Sequence, residues 1–267
     1  VREKMGQMDG KIVLITGGGD GIGKACALTL AREGAKVAVT DINEVTAAQT
    51  ANEINEAGGE AMAVQHDVTQ EARWQEVVAA IEEKWGGLNV LVNNAGIGIH
   101  ANIVTMSLED WRMQTAVNLD SVFLGTKHAI PAMRRSGQQG SIINMSSAAG
   151  LRGAPGLSGY SATKGAVKLF TKSVALECAN NGDNIRVNSV HPGIIETGIW
   201  PGATDSESRM SAKAFGERSV PLGYSANPQV VADGVLFLAS DQSAYMTGSE
   251  LVIDGGLTAG TVSPRPI

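Results

Sequence analysis

Lys11-Ile12-Val13-Leu14-Ile15-Thr16-Gly17-Gly18-Gly19-Asp20-Gly21-Ile22-Gly23 joins an apolar, β-branched run to a glycine-rich turn, and a helical pattern through Ala25, Leu28 and Leu30 follows. A nearly continuous apolar run predicts a strand covered on both faces, because a half-exposed strand would alternate. Strand, glycine turn and helix in succession aim the unpaired N–H groups and positive dipole end of the helix beyond the turn. Glycines there remove the side chains that would keep a pyrophosphate from the backbone. The same stretch would also serve as a plain tight connection, so the rest of the chain decides between the two.

Working outward, the next strand, 36–40, runs into Asp41, 18 residues after Gly23. A carboxylate at the end of the second strand can accept hydrogen bonds from both hydroxyls of an adenosine ribose and would repel a 2′-phosphate. Asp20 adds a second negative charge inside the glycine loop. Together they predict NAD(H) over NADP(H). Asp41 is equally placed to cap the helix expected over 44–57, a role that Asn43 can fill as well.

The βα rhythm continues. A strand at 61–65 leads through His66-Asp67-Val68 to a helix over 70–85, whose core face carries Trp74, Val77, Val78 and Ile81. The strand 88–93 runs into Asn93-Asn94-Ala95-Gly96, and one long helix is expected over 108–135. Asn118 interrupts the apolar stretch of that helix and is either a satisfied core amide or part of a site. Strands at 141–145 and 185–190, a helix at 228–239 and a strand at 250–253 complete the series. This predicts a single α/β domain spanning 1–267: a doubly wound, mainly parallel seven-stranded sheet with helices on both faces, every named strand end on one edge. Residues 1–9 are expected to form a flexible N-terminus, and 194–221 a substrate-binding lid.

At 267 residues and 43% hydrophobic content the chain can bury the core such a fold needs. Its 21 basic and 27 acidic residues are mixed along the chain, which excludes a basic face for nucleic acid. No apolar run is long enough to span a bilayer, and no signal peptide is apparent, so a soluble cytoplasmic protein is expected. Cys26 and Cys178 are far apart and in no metal-ligand spacing, which predicts two buried free thiols and no metal.

Gly159-Tyr160-Ser161-Ala162-Thr163-Lys164 carries the chemistry. On a helix, Tyr160 and Lys164 share a face one turn apart. A phenol titrates near pH ~10, so it needs a nearby cation to move protons at neutral pH. Such a pair is common on helix surfaces, and its weight comes from company. The chain resembles the short-chain dehydrogenases/reductases of single-domain, Rossmann-like type over nearly its whole length. The resemblance rests on Gly17-x3-Gly21-x-Gly23, Asn93-Asn94-Ala95-Gly96, Asn118, Ser147, Tyr160-x3-Lys164, and Pro192-Gly193 followed by Thr197.

The resemblance implies a catalytic set of Asn118, Ser147, Tyr160 and Lys164. Tyr160 would be the general acid/base, Ser147 would hold the substrate oxygen, and Lys164 would hold the nicotinamide ribose while depressing the Tyr160 pKa. Asn118 would hold a water leading to Lys164. For the cofactor it implies Gly17, Asp20, Gly21, Ile22 and Gly23 at the pyrophosphate, Asp41 at the adenosine ribose, and Asp67 and Val68 at adenine. Asn94 would meet the ribose, Ile195 and Thr197 the carboxamide, and Asn93 is expected to be structural. Asp20 stands where many relatives carry Ser or Arg.

On the substrate side, Ile99, Leu157 and Trp200, with Ile199, Met210 and Phe215, suggest a pocket for a neutral, largely apolar secondary alcohol or ketone, alicyclic, aromatic or steroid-like. Two competitors remain at this point. An NADPH-dependent 3-oxoacyl-carrier-protein ketoreductase would share the site, with Arg209, Lys213 and Arg218 in its favour. A dinucleotide-binding sensor or scaffold would share only the fold. Relatives are commonly tetramers, so a homotetramer is expected.

Overall fold

The computed structural model describes residues 6–199 and 211–260. Trp200, Arg209 and Met210 lie outside the described residues. Strand β1 (Ile12–Thr16) is buried along its whole length. Successive strand side chains point to opposite faces, and β1 uses both. Val13 and Ile15 join a core with Leu30, Ala47 and Val231. Ile12 and Leu14 join another with Trp74, Leu91 and Ala129.

From β1 the chain continues through α1 (Gly21–Arg32), β2 (Lys36–Asp41), α2 (Glu44–Glu56), β3 (Glu60–Gln65), α3 (Glu71–Trp85) and β4 (Val90–Asn93). Then come α4 (Leu108–Thr115), a π-turn (Ala116–Asp120), α5 (Ser121–Ser136), β5 (Gly140–Met145), α6 (Ser158–Asn180) and β6 (Ile185–Pro192). Helices α7 (Ala212–Ser219) and α8 (Gln229–Ala239) precede β7 (Glu250–Ile253). The strands stand in the order β3-β2-β1-β4-β5-β6-β7, and every pairing is parallel. Strand order reverses direction between β1 and β4, which opens a crevice beyond their carboxyl ends, where sheets of this kind bind ligands.

Three local readings change. Asn43 caps α2, its Oδ1 accepting from Val45 N–H (3.1 Å) and Thr46 N–H (3.3 Å), so Asp41 is not the cap. The expected helix over 108–135 is two helices joined by the π-turn, in which Ser121 N–H bonds to Ala116 C=O, five residues back. One residue too many for the α-ladder bulges out there, at Asn118. Residues 6–9 are not a loose end: Met8 is fully buried and its N–H bonds to Glu33 C=O (2.9 Å).

The segment leading to α7 leaves the sheet after β6 and is stitched at its base. Ile195 bridges Ala226 in parallel, Glu196 N–H bonds to Ala226 C=O (2.9 Å), and the Ser225 hydroxyl donates to Glu196 Oε1 (2.5 Å). Among the described residues, no helix is long and apolar enough to cross a membrane. Cys26 and Cys178 are free and buried.

Candidate active site

The glycine loop is shaped by what flanks it. Gly21 has φ +53°, a left-handed conformation that glycine adopts without strain. A Cβ at Gly23 would lie 1.9 Å from the Gly17 carbonyl oxygen, so only glycine lets α1 start this close to β1. Thr16 Oγ1 accepts from the N–H groups of Asn94 and Ala95, both at 3.0 Å. The Asn94 side chain returns the contact, donating to the carbonyls of Thr16 (2.9 Å) and Gly17 (3.1 Å). The ends of β1 and β4 are thereby locked together across the switch point.

Asp20 precedes α1 in extended conformation and makes no side-chain cap bond, so its carboxylate does not compete for the first-turn N–H groups. Asp41 Oδ2 accepts from Gly19 N–H (3.0 Å) and Oδ1 from Asn43 N–H (3.0 Å), which holds the carboxylate at the mouth of the loop. Asp67 accepts from the Thr69 N–H (3.0 Å) and hydroxyl (2.7 Å). Val68 is buried, and its carbonyl is taken by the Trp74 indole (2.9 Å). Thr197 packs against the loop, 3.2 Å from where a Gly21 Cβ would stand, and Ile195 lies beneath it in the stitched base. Ile22 packs on the core behind the loop. A crevice with glycine walls, a helix N-terminus without a side-chain cap and a carboxylate at the second strand end fits a nicotinamide dinucleotide.

The residues expected to react collect at the end of β5. Its last backbone rung to β6 is Ser146 N–H to Val190 C=O (2.8 Å), and Ser146 Oγ donates to the Lys164 carbonyl (2.8 Å), tying α6 to the strand. Ser147 is extended (φ −168°), and its Oγ accepts from Ala149 N–H (3.1 Å). That bond uses an oxygen lone pair and leaves the hydroxyl hydrogen to point elsewhere. Tyr160 is half-buried. Loss of solvent around the phenol raises its pKa above the ordinary value, and the nearby Ser147 hydroxyl draws it back.

Lys164 is buried, its Nζ donating to the Met145 carbonyl (2.9 Å) and standing 5.7 Å from the Tyr160 ring centre. Burial lowers its pKa to about 8. Both groups are desolvated, each against its charged form, and the ammonium is directed at a carbonyl.

Asn118 is fully buried and spends its amide on protein. Oδ1 accepts from Ile97 N–H (2.8 Å), and Nδ2 donates to Ile97 C=O (2.8 Å) and to Thr163 Oγ1 (3.3 Å). The π-turn thus clamps the loop after β4 to the Tyr160 helix. A Cβ on Gly96 would lie 3.2 Å from Asn118 Oδ1 and 3.3 Å from Lys164 Nζ, so the clamp and the lysine meet over glycine backbone. Asn93, by contrast, donates to Asn144 Oδ1 (2.9 Å) inside the sheet, a structural part.

Sequence reading missed two partners. Gln114 Oε1 accepts from Ile99 N–H (3.1 Å); its place four residues before Asn118, on one helix face, was the available signal. His191 is the other, its Nδ1 lying 3.2 Å from the Ser147 carbonyl oxygen.

Ile99 and Leu157 are half-buried on neighbouring loops, joined by Ala101 N–H to Gly156 C=O (3.0 Å). Ile199 approaches this wall, 3.6 Å from a Cβ built on Gly98.

A Rossmann-like sheet with this crevice and this serine–tyrosine–lysine cluster defines a nicotinamide-dinucleotide oxidoreductase. Comparison with known proteins narrows the class. The family model described as Enoyl-(Acyl carrier protein) reductase matches residues 17–258. A cyclopentanol dehydrogenase of Comamonas sp. (strain NCIMB 9872) is 45% identical over 255 residues, 96% of this chain and 100% of that protein. An NADP-dependent (R)-specific alcohol dehydrogenase of Lentilactobacillus kefiri is 40% identical over 255 residues, covering 95% and 98% of the two chains. The crystal structure of a short-chain type dehydrogenase/reductase from Mycobacterium marinum superposes with TM-score 0.88 at 37% identity, covering 95% of this chain and 97% of that one. The chain belongs to the short-chain dehydrogenases/reductases, and it is an oxidoreductase acting on CH–OH groups.

Proposed function

We propose that the protein interconverts neutral, largely apolar secondary alcohols and their ketones with NAD(H), with alicyclic alcohols first among them. The observation that carries this reading is the cluster of Ser147, Tyr160 and Lys164 at the end of β5, two strands from the β1 end that bears the glycine loop overlooked by Asp41. Bound NAD+ would supply the hydride acceptor. Gly17, Asp20, Gly21, Ile22, Gly23, Asp41, Asp67, Val68, Asn94, Ile195 and Thr197 would hold it, together with Tyr160 and Lys164.

In this reading Tyr160 accepts the hydroxyl proton as the alcohol is oxidised, and Ser147 donates a hydrogen bond to the same oxygen. Their roles follow from the geometry. The Ser147 hydrogen is left available by the Ala149 bond, and a phenol held neutral by burial becomes a base only beside a cation. Lys164 is that cation, with two ammonium hydrogens beyond the one given to Met145. Asn118 orders the loop and helix between which these groups stand.

Ile99 and Leu157 would line the substrate wall; Trp200, expected beside them, lies outside the described residues. The apolar wall and the 45% identity to a cyclopentanol dehydrogenase support the alicyclic class. Asp41 supports NAD(H), against the precedent of the NADP-dependent relative. Exposed Phe123, Leu169 and Leu176 on α5 and α6, with Val252 in β7 and Tyr245 shortly before it, support a homotetramer, and a cytoplasmic location is part of this proposal.

The test is fluorescence titration with NADH and with NADPH, followed by turnover of cyclopentanol, cyclohexanol, a benzylic alcohol, a hydroxysteroid, a 2-hydroxy acid and a sugar. NADH binding at least tenfold tighter, with turnover confined to the apolar alcohols, is the expected result. Tighter NADPH binding would move the 3-oxoacyl-carrier-protein ketoreductase reading forward, with exposed Lys213 and Arg218 on α7 as its docking charges.

A further inference from the structure

His191, the penultimate residue of β6, is fully buried. Its Nδ1 lies 3.2 Å from the Ser147 carbonyl oxygen and its Nε2 lies 2.9 Å from Ser189 Oγ. A carbonyl only accepts, so Nδ1 carries the proton and Nε2 accepts from the Ser189 hydroxyl. Ser189 is itself anchored, its N–H donating to the Ser249 carbonyl at 3.0 Å; its one hydroxyl hydrogen has that carbonyl within reach at 3.3 Å and Nε2 nearer, at 2.9 Å, and with Nδ1 protonated it goes to Nε2. The backbone ladder between β5 and β6 ends one residue earlier, at Ser146 N–H to Val190 C=O. From there Ser147 leaves the sheet, and its carbonyl takes Gly150 N–H (2.9 Å) from the turn and the imidazole from the sheet.

We propose that His191 is a positioning residue for Ser147: its ring supplies one further rung where the backbone ladder stops, and so fixes the peptide that aims the Ser147 hydroxyl at Tyr160. The proposal rests on the reading of Ser147 and Tyr160 as the reacting pair. A serine side chain has a single χ angle, so its hydroxyl goes where its backbone goes, and a 1 Å misplacement can cost on the order of 100-fold in rate. The ring keeps one protonation state. Burial lowers the His191 pKa, and Lys168 and Lys172 of α6 act in the same direction, while the Ser147 carbonyl and Glu250 of β7 oppose them.

The test compares His191→Leu, which keeps bulk and loses the donor, with His191→Asn, whose Nδ2 can stand where Nδ1 stands. With cyclopentanol and NAD+, His191→Leu is expected to lower kcat 10- to 100-fold with NADH binding unchanged within twofold. His191→Asn is expected to recover at least tenfold of that loss. Nitrogen-15 NMR of the wild type, which has four histidines, reads the geometry without turnover, the His191 signal being assigned by its absence in His191→Asn. It should report the Nδ1–H tautomer.

Leu and Asn variants of equal activity, or an Nε2–H tautomer, would overturn the positioning role and leave the oxidoreductase reading standing. A wild type that turns over no alcohol with either dinucleotide would overturn both.

Discussion

The two halves of the crevice are built by different means. On the cofactor side, from β1 to β5, the surface is backbone: glycine loop, helix N-terminus, and side chains such as Thr16 and Asn94 spent on holding strand ends together. On the substrate side, formed by the loops around Ile99 and Leu157 and the segment beginning at Ile195, the surface is apolar side chain on connecting chain. The partner on the first side is an unvarying molecule, and backbone suits it because no point substitution removes a backbone N–H, proline aside. The partner on the second side differs between family members, and exchangeable side chains suit that.

If this division is right, substitutions on the two sides should fail differently. Tyr160→Phe, at the seam, should lower kcat about 1,000-fold while NADH affinity changes less than threefold; steady-state kinetics with fluorescence titration reads both. A loss under tenfold would remove Tyr160 from proton transfer.

The cofactor side should also carry a pH-dependent weakness. His66, at the end of β3, is buried against Thr40 and Trp74, and burial lowers its pKa to about 4. It stays neutral in the fold and protonates near pH ~6.5 once unfolded. Its contribution to stability is therefore intact above the unfolded pKa and lost as pH falls from 6.5 towards 4, by up to about 3 kcal/mol. His191 adds a loss of the same sign. Urea unfolding at pH 7.5 and 4.5 should show the fall, and His66→Gln should shrink it; an unchanged difference in that variant would assign the acid lability elsewhere.

Asp41→Ala should weaken NADH binding by about 2 kcal/mol, roughly 30-fold, and leave NADPH nearly unaffected, because only the former gains from the carboxylate. Equal losses for both dinucleotides would mean that Asp41 merely shapes the loop through Gly19.

Smallest of all, Ile99→Ala should raise KM for cyclopentanol by about 1 kcal/mol, some fivefold, with kcat held within twofold. A kcat loss instead would show that Ile99 acts through its backbone bond to Gln114.

The contrast also explains what could be read in advance. Backbone-built features have strict sequence signatures: the glycine spacing, the covered strand 12–16 and the Tyr160–Lys164 helix all stand where the residues place them. Asn118 was visible as a polar group in an apolar run, but the π-turn was not, since one extra residue hardly disturbs an apolar pattern 28 residues long over 108–135. The lowered Lys164 pKa depends on burial by segments distant in sequence, and His191 gains its meaning only from a carbonyl 44 positions away. Met8 joins the core of Leu30 and Val37 from outside any helix or strand, so no apolar period announces it.

The stitched base of the segment after β6 has its own consequence. With Ile195 paired to Ala226 and Ser225 bonded to Glu196, the two ends are joined whatever lies between them, and Val220 and Leu257 pack below with Ile194. A change of length between the stitches then need not disturb either joined end. The region between the stitches is a cassette: a lineage could exchange it wholesale, and acquire a new substrate, without renegotiating the sheet that holds the dinucleotide.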